Sequence, residues 1–493
     1  MTTLNTAAVP LQHPDRLFID GKWVAPSSTA TIDVIDSGTE ELYFQVAEAQ
    51  AADMDHAVSA ARAAFDEGPW PRLTHEERAG YLRAMAGQLR ARIPDIAEVW
   101  PRQAGVLQGL AFNMSEGDAH TLEYYAGLAA TYPFEERYES AANGAFGLRV
   151  SEPVGVVGAI IPWNSPLALL VVKVAPALLA GCTVVVKASP EAPGEAYVFA
   201  EIAEAVGLPP GVINVVTADR DVSELLVRDP RVDKIAFTGS TAAGRRIASI
   251  LGERIGRYTL ELGGKSAAVV LDDADIAQTA AVLAGQQCLA SGQVCASLTR
   301  VIVSGDRYDE LVDALAANFA GVRVGSPFDP ETQMGPLAMS RQRDRVEGFI
   351  DRGVAAGARL ITGGKRPAHL TRGYYIEPTL FADVDNSSEL AQQEIFGPVL
   401  SVIRAADDRE AVRFANDTIY GLAGAVFTAD TNRARTVAGQ IRAGTISHNS
   451  FNFDVQIGVG GFKQSGVGRE GGLAGLLPYL ETKAVLLADA PDA

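Results

Sequence analysis

Cysteine is scarce in this chain, with three in 493 residues, at Cys182, Cys288 and Cys295. So sparse and odd a set argues against a disulfide framework and points to a reducing compartment. Histidine is scarce too, six in all, and no CxxC, HExxH or clustered His/Asp set suggests a metal. Positive charge is in deficit: 42 Lys and Arg against 60 Asp and Glu give a net charge of -18, spread along the chain rather than gathered in a tail. That balance argues against nucleic acid and against anionic membrane surfaces, which both need a basic patch. A long unbroken apolar run is also missing. Val154 to Val186 comes nearest, but Pro162, Asn164, Pro166, Lys173, Pro176 and Gly181 interrupt it. The N-terminus has no basic stretch leading into an apolar core, so no signal peptide and a cytoplasmic location are expected.

What is present is the composition of an ordinary globular protein, 47% hydrophobic and 21% charged, long enough for about two to four domains. Apolar runs alternate with helical patterns. VGVVGAII (154–161), TVVVK (183–187), INVV and KIAFTG (234–239) read as strands, with helices at Leu167 to Ala180, around Ala196 to Ala205, and from Thr241 to Leu251. Continuous apolar strands separated by helices of about a dozen residues mark a parallel α/β sheet. A second such series follows Cys295, opening with TRVIVSG and a helix from Arg307 to Phe319, and the boundary between the two is expected between Leu262 and Ala267. Ala52 to Gln103 reads as helical, without obvious chemistry.

Several strand ends carry candidate groups. FTGSTAAG (237–244) places Gly239 and Ser240 where a helix N-terminus could take a phosphate, although an ordinary capped turn fits as well. Lys187 closes VVVK, at the edge where ligands gather in open α/β sheets. In IIPWNSP, two prolines stiffen the loop around Asn164, which suits an amide aimed at an oxyanion or simply a tight turn. LELGGK ends an apolar strand on Glu261, a setting that can raise a carboxyl pKa and make a general base. EIFGPV offers Glu394 for a sugar hydroxyl beside the flat ring of Phe396. Cys295, in LASGQVCASLTR, has neighbours Ser291, Gly292, Gln293 and Ala296 that make poor core material, whereas Cys182 and Cys288 sit among apolar residues. A Cys–His hydrolase would need a histidine brought in by the fold, with His448 the candidate.

Taken together, EPVGVVGAIIPWNSP, ALLAGCTVVVK, FTGSTAAG, LELGGKS, GQVCA, EIFGPV, NDTIYGLAGAVFT, GGFKQSGVGRE and YLETKAV resemble the NAD(P)-dependent aldehyde dehydrogenase superfamily in one order, from about Phe18 to Val485. The resemblance implies an α/β fold in three parts: a Rossmann-like cofactor domain (1–130 and 151–262), a catalytic domain (263–460) and a small β oligomerisation element (131–150 and 479–493). It implies Cys295 as nucleophile, Asn164 as oxyanion donor, Glu261 as the base that activates water, and Lys173 in support of the proton path. It assigns Lys187 to the adenosine ribose, Gly239 and Ser240 to the pyrophosphate, Glu394 to the nicotinamide ribose and Phe396 to the nicotinamide wall. Ile160, Ile161, Pro162, Trp163, Leu262 and Gln342 complete the cofactor cleft. A homodimer or homotetramer is the implied assembly.

The chain also departs from that pattern. Pro190 stands where many relatives carry a ribose-binding glutamate, with Glu191 one place later, so NADP+ stays open, while the lack of an arginine beside Lys187 in sequence favours NAD+. TADRD replaces the Gly-x-Gly that often follows the INVV-like strand. Ser165 replaces an aromatic, and Gly458-Val459 replaces a Pro-Phe. Together these imply a wide tunnel lined by Ser165, Leu169, Leu289, Val294, Phe453 and Val459, suited to a bulky apolar aldehyde, aromatic or terpenoid. A CoA-acylating aldehyde dehydrogenase and a catalytically silent protein on the same fold remain as alternatives, the first opposed by Glu261.

Overall fold

The computed structural model describes residues 9–139 and 146–489. Two large sheets organise the chain. In the first, parallel neighbours Arg257–Glu261, Lys234–Thr238, Val156–Ile160, Thr183–Ala188 and Ile213–Thr217 lie in that order. Each is apolar on both sides because each side is covered. Val157 and Ala159 enter one core cluster, while Val156 and Ile160 enter another on the opposite face.

The sheet is not purely parallel, as the alternating pattern had suggested. Leu17–Ile19 adds antiparallel to Ile213–Thr217 at one edge, and Gly466–Val467 adds antiparallel to Arg257–Glu261 at the other. Neither short segment has an alternation long enough to mark it as a strand, since each borrows its order from a longer neighbour. The second contact brings a C-terminal segment back beneath Glu261, with Glu261 opposite Gly466.

The second sheet has seven strands, with Ala267–Val270, Arg300–Ser304, Val399–Ala405 and Ala423–Phe427 parallel at its centre. Its faces alternate in the same way, Val269 and Ile302 on one side, Val270 and Val301 on the other. The sequence join at 262–267 falls between Arg257–Glu261 of the first sheet and Ala267–Val270 of the second. A separate sheet pairs Phe146–Pro153 with Glu135–Glu139 and with Leu480–Leu487. Parts of the 131–150 and 479–493 segments, residues 140–145 and 490–493, lie outside the described residues.

The region read as helical from Ala52 to Gln103 is two helices, Ala51–Asp66 and His75–Ala104. Thr74 and Glu77 form a reciprocal cap at the start of the second, and Gly105 closes it at φ 74°. A third helix, Gln108–Thr131, packs on the second and on Pro166–Ala180.

Candidate active site

The carboxyl ends of four adjacent parallel strands meet along one edge, carrying the loop after Ile160, then Lys187, Gly239-Ser240 and Glu261. Open α/β sheets bind ligands there, because the helices that follow present their N-termini to that edge. A cavity of about 470 Å³ opens on it, lined by Asn164, Gly239, Ser240, Cys295, Glu394 and Phe396 among others. Pro162, Trp163, Leu262 and Gln342 also line it. An adjoining cavity of about 490 Å³ is lined by Ile160, Lys187 and Ser240. Ile161 lines neither of these two. It follows Ile160 on the opposite face and lies in the core.

Cys295 sits at the end of a strained turn. Ala290, Ser291 and Gly292 all have positive φ, at 46°, 56° and 71°, which costs on the order of 1–3 kcal/mol for each non-glycine residue. Buried hydrogen bonds hold the turn. The Ser291 hydroxyl donates to the carbonyls of Gly335 (2.8 Å) and Pro336 (3.1 Å). The Gln293 amide donates to Ala290 O (3.0 Å) and Ala104 O (3.2 Å) and accepts from Ala338 N (2.9 Å). The polar neighbours of Cys295 are thus buried struts rather than open space. Gly264 lets the turn approach closely, because a Cβ there would run into the Cys295 carbonyl.

The thiol is held up at about 12, first by burial and then by the nearby Glu394 and Glu261 carboxylates. Cys288 is also held at about 12, by burial alone, and packs with Val324, Met334 and Tyr375. Cys182 lies buried with its thiol 3.5 Å from Tyr479 O. What sets Cys295 apart is its place on the cavity wall.

Asn164 reaches the same wall from the first sheet. One side-chain N–H donates to Gln293 O at 2.9 Å, and Trp100 fixes the loop by donating to Asn164 O at 3.1 Å. An amide has two N–H donors, and the second makes no hydrogen bond among the described residues.

Glu261 is buried, and its Oε1 has no hydrogen-bond partner among the described residues. Its carboxyl is held well above the usual range by burial and by Glu470, with Lys173 and Arg469 acting against that. Lys173 is fully buried and donates to Glu470 Oε1 and to Thr238 Oγ1, both at 2.6 Å. The sequence reading had Lys173 but not Glu470. The only signal for it was its place in the GGFKQSGVGRE block, since it stands 297 residues from its partner.

On the cofactor side, Glu394 accepts from Gly264 N at 3.1 Å, and burial raises its carboxyl to about 7. Phe396 stands at φ 63° and meets Trp163 edge-on at 5.3 Å. Gln342 holds that strained residue by donating to Phe396 O at 2.6 Å, so its amide acts as a backbone strut in the cleft wall. Ser240 caps the helix Thr241–Glu253, accepting from Ala243 N at 3.2 Å. Lys187 is buried, has no side-chain hydrogen bond among the described residues, and is lowered to about 8 by burial. A buried ammonium with no partner, a carboxylate over a glycine pair and a capped helix start fit a dinucleotide's ribose, second ribose and pyrophosphate.

None of the residues read as tunnel wall lines either of the two cavities. Val294 packs beside Cys295, and Phe453 is exposed and T-stacked on Phe451 at 5.2 Å. Leu169 and Leu289 are half-buried, and Ser165 has a buried hydroxyl without a partner. Val459 exchanges two backbone hydrogen bonds with Glu470, at 2.7 and 2.8 Å, tying that segment to the buried Lys173–Glu470 pair. His448 bonds Thr428 O at 3.0 Å and is not among the residues lining either cavity.

The aldehyde dehydrogenase family model matches residues 23–485. Geranial dehydrogenase of Castellaniella defragrans is 44% identical over 472 residues, covering 96% of this chain and 98% of that protein. A Mycobacterium tuberculosis aldehyde dehydrogenase solved with NAD+ has a TM-score of 0.94 and 43% identity, covering 96% of this chain and 98% of that one. Aldehyde dehydrogenase C of Pseudomonas syringae, solved with NAD+ and octanal, has a TM-score of 0.93 and 38% identity, covering 98% and 99%. The chain belongs to the aldehyde dehydrogenase family and has that family's fold. Among the described residues no helix is long and apolar enough to cross a membrane.

Proposed function

We propose that this enzyme oxidises a bulky apolar aldehyde to its carboxylic acid with NAD+, using Cys295 as nucleophile and Glu261 as base. The observation that carries this reading is the pairing of a cavity-wall thiol with a nearby buried carboxylate whose Oε1 has no hydrogen-bond partner among the described residues. Glu261 lies near enough for its charge to act on the Cys295 thiol.

Cys295 gives its proton to solvent water and its sulfur attacks the aldehyde carbon, whose carbonyl π-bond breaks to leave the oxyanion of a tetrahedral thiohemiacetal. The free N–H of Asn164 donates to the oxyanion, and one such donor is worth ~3 kcal/mol. When bound, NAD+ supplies the hydride acceptor and a positive ring charge that favours the thiolate. Lys187, Ser240, Gly239 and Glu394 would hold it, with Phe396 and Trp163 against its rings. Glu261 takes a proton from water, which attacks the Cys295 thioester and releases the acid and the free thiol. Lys173 and Glu470 lie beyond Glu261 and carry that proton away.

Two relatives support the substrate class. One is named for geranial, a branched terpenoid aldehyde, and one was solved with octanal, a long apolar one. The small residues Ser165 and Gly458 leave space for such a chain. The first sheet belongs to the cofactor domain, the second to the catalytic domain, and the three-stranded sheet to the contact of a homodimer or homotetramer. The three free thiols suit the cytoplasm.

The test follows NADH formation across aldehydes from acetaldehyde to geranial, with and without CoA, in wild type and Cys295→Ala. Rising kcat/KM with apolar bulk and a free acid as product are expected. Equal kcat/KM for acetaldehyde and geranial would overturn the substrate class, and an acyl-CoA product the hydrolytic step.

A further inference from the structure

Glu261 acting as base gains a proton from water, and the edge of the sheet it sits on is taken up by aldehyde and cofactor. A polar seam runs the other way, through the first sheet's interior. Successive residues of a strand alternate between faces, so Lys234, Ala236 and Thr238 share one face with their register partners Arg257, Thr259 and Glu261. It is the face that packs on the helix Pro166–Ala180, because Ala236 shares an apolar cluster with Leu170, Val171 and Val174. Thr238 and Glu261 end the seam at the cleft. Lys234 begins it four residues back along the strand, about 13 Å away.

Other segments fill the interval. Lys173 donates to Thr238 and to Glu470, both at 2.6 Å. Tyr479 lies near enough to Glu470 for its charge to act on the phenol, and Tyr125 is placed likewise. The Tyr479 side chain is buried, and its hydroxyl has no hydrogen-bond partner among the described residues. Lys234 Nζ stands 5.1 Å from the centre of the Tyr479 ring. Lys234 is 1% exposed and makes no ion pair or side-chain hydrogen bond among the described residues, yet it lies near enough to Glu470 to feel its charge.

A buried ammonium without a hydrogen-bonded partner is costly, and giving up its proton relieves the cost. Burial lowers Lys234 to about 7, aided by Lys173 and opposed by Glu470 and Cys182. A group at that value takes and releases protons with little bias near neutral pH. Its register partner Arg257, about 4.8 Å away on the next strand, is exposed and paired with Glu481 at 2.6 Å. Solvent is therefore one strand from the lysine. A tyrosine hydroxyl both donates and accepts, which suits Tyr479 to the step between Glu470 and Lys234.

We propose that Tyr479 and Lys234 carry a proton from Glu470 to the amino-end edge of the first sheet, away from aldehyde and cofactor. This rests on the reading of Glu261 as base. Water gives one proton to Glu261 and its oxygen to the thioester carbon, whose bond to Cys295 Sγ breaks. The proton passes from Glu261 to Glu470, through the Tyr479 hydroxyl to the neutral Lys234 amine, and on to solvent. Tyr479 and Lys234 touch neither substrate nor cofactor, so they act only on the proton's departure.

The test is a single turnover of octanal by excess full-length enzyme with NAD+, following NADH by absorbance and released protons with an indicator dye. Lys234→Met should leave the NADH phase within about twofold and slow the later proton phase about tenfold or more. Lys234→Arg keeps the charge but cannot release a proton, so the same phase should be slowed as much. Tyr479→Phe keeps the ring and loses the hydroxyl, and should slow that phase about threefold or more. A wild-type proton phase in any of the three overturns the proposal; in Lys234→Arg it would show that charge alone suffices. Variants that slow both phases alike overturn it too, and Tyr479→Phe decides the matter if the lysine variants do not fold. If Glu261→Gln gives wild-type phases, the base reading itself fails, and the exit with it.

Discussion

At one end of the cleft the carboxylates of Glu394 and Glu261 lie near the Cys295 thiol, and Glu470 acts on Glu261. At the other, Lys187, Arg220 and Arg246 face a single glutamate. The acidic end holds protons. Burial raises Glu394 to about 7, and burial together with neighbouring carboxylates raises Glu261 well above its usual range and Cys295 to about 12. Shifts of this kind suit the nucleophile and base proposed for Cys295 and Glu261. At the basic end, Lys187 and Arg220 make no ion pair or side-chain hydrogen bond among the described residues. The difference teaches that desolvation sets protonation at one end, while cations without ion pairs among the described residues mark the other.

The comparison can be broken most decisively at the acidic end. Cys295→Ala should lower turnover about 10⁴-fold or more while leaving 5′-AMP binding at the basic end intact. Measurable NADH formation near the wild-type rate would remove the proposed nucleophile. Glu261→Gln should cost about 10²–10⁴-fold in steady-state turnover but leave a first-turnover burst of NADH, because only thioester hydrolysis needs the base. Loss of the burst along with turnover would assign Glu261 to an earlier step. Asn164→Ala should reduce kcat about 10²–10³-fold through the lost oxyanion donor.

A pH series sharpens the comparison further. Glu261 must be ionised to accept a proton, and its folded pKa is raised, so the hydrolysis-limited rate should climb as pH rises through that value. Glu470→Gln removes a like charge and leaves Lys173 unpaired, and both effects favour the ionised form of Glu261. The rising limb should move to lower pH. A limb that stays in place would show the two carboxylates to be uncoupled.

The smallest effect tests whether stored protons are special to the cleft. Glu195, buried elsewhere with Oε1 unpartnered, is raised to about 8 by burial, and accepts from Gln103 at 2.8 Å. A folded pKa above the unfolded value means stability is present below about pH 4.5 and declines as pH rises toward 8. Glu195→Gln should therefore raise Tm at pH 8, by about 2 °C or more, and make little difference near pH 5. An equal Tm change at both pH values would show that packing, not ionisation, governs the site.

Legibility in the sequence followed the reach of the physics involved. The central strands could be read because burial on both faces leaves a continuous apolar run. Lys187, Gly239 and Glu261 could be placed because strand ends gather ligands, whatever the rest of the chain does. Gln293 and Ser291 were visible as polar residues, but their roles depended on the carbonyls of Ala104 and Gly335, which no spacing predicts. Glu470 and Arg220 were passed over for the same reason.

The sequence by itself determined which segments bury both faces, which strand ends carry reactive side chains, and the family pattern those ends follow. Local periodicity and covalent order are enough for that. Only the tertiary structure decided that Lys173 meets Glu470, that Gly466 returns beside Glu261, and that Arg220 joins Lys187 over one cavity. Those contacts join segments far apart in sequence. Their energies come from desolvation and charge, which do not exist until the chain has closed around them.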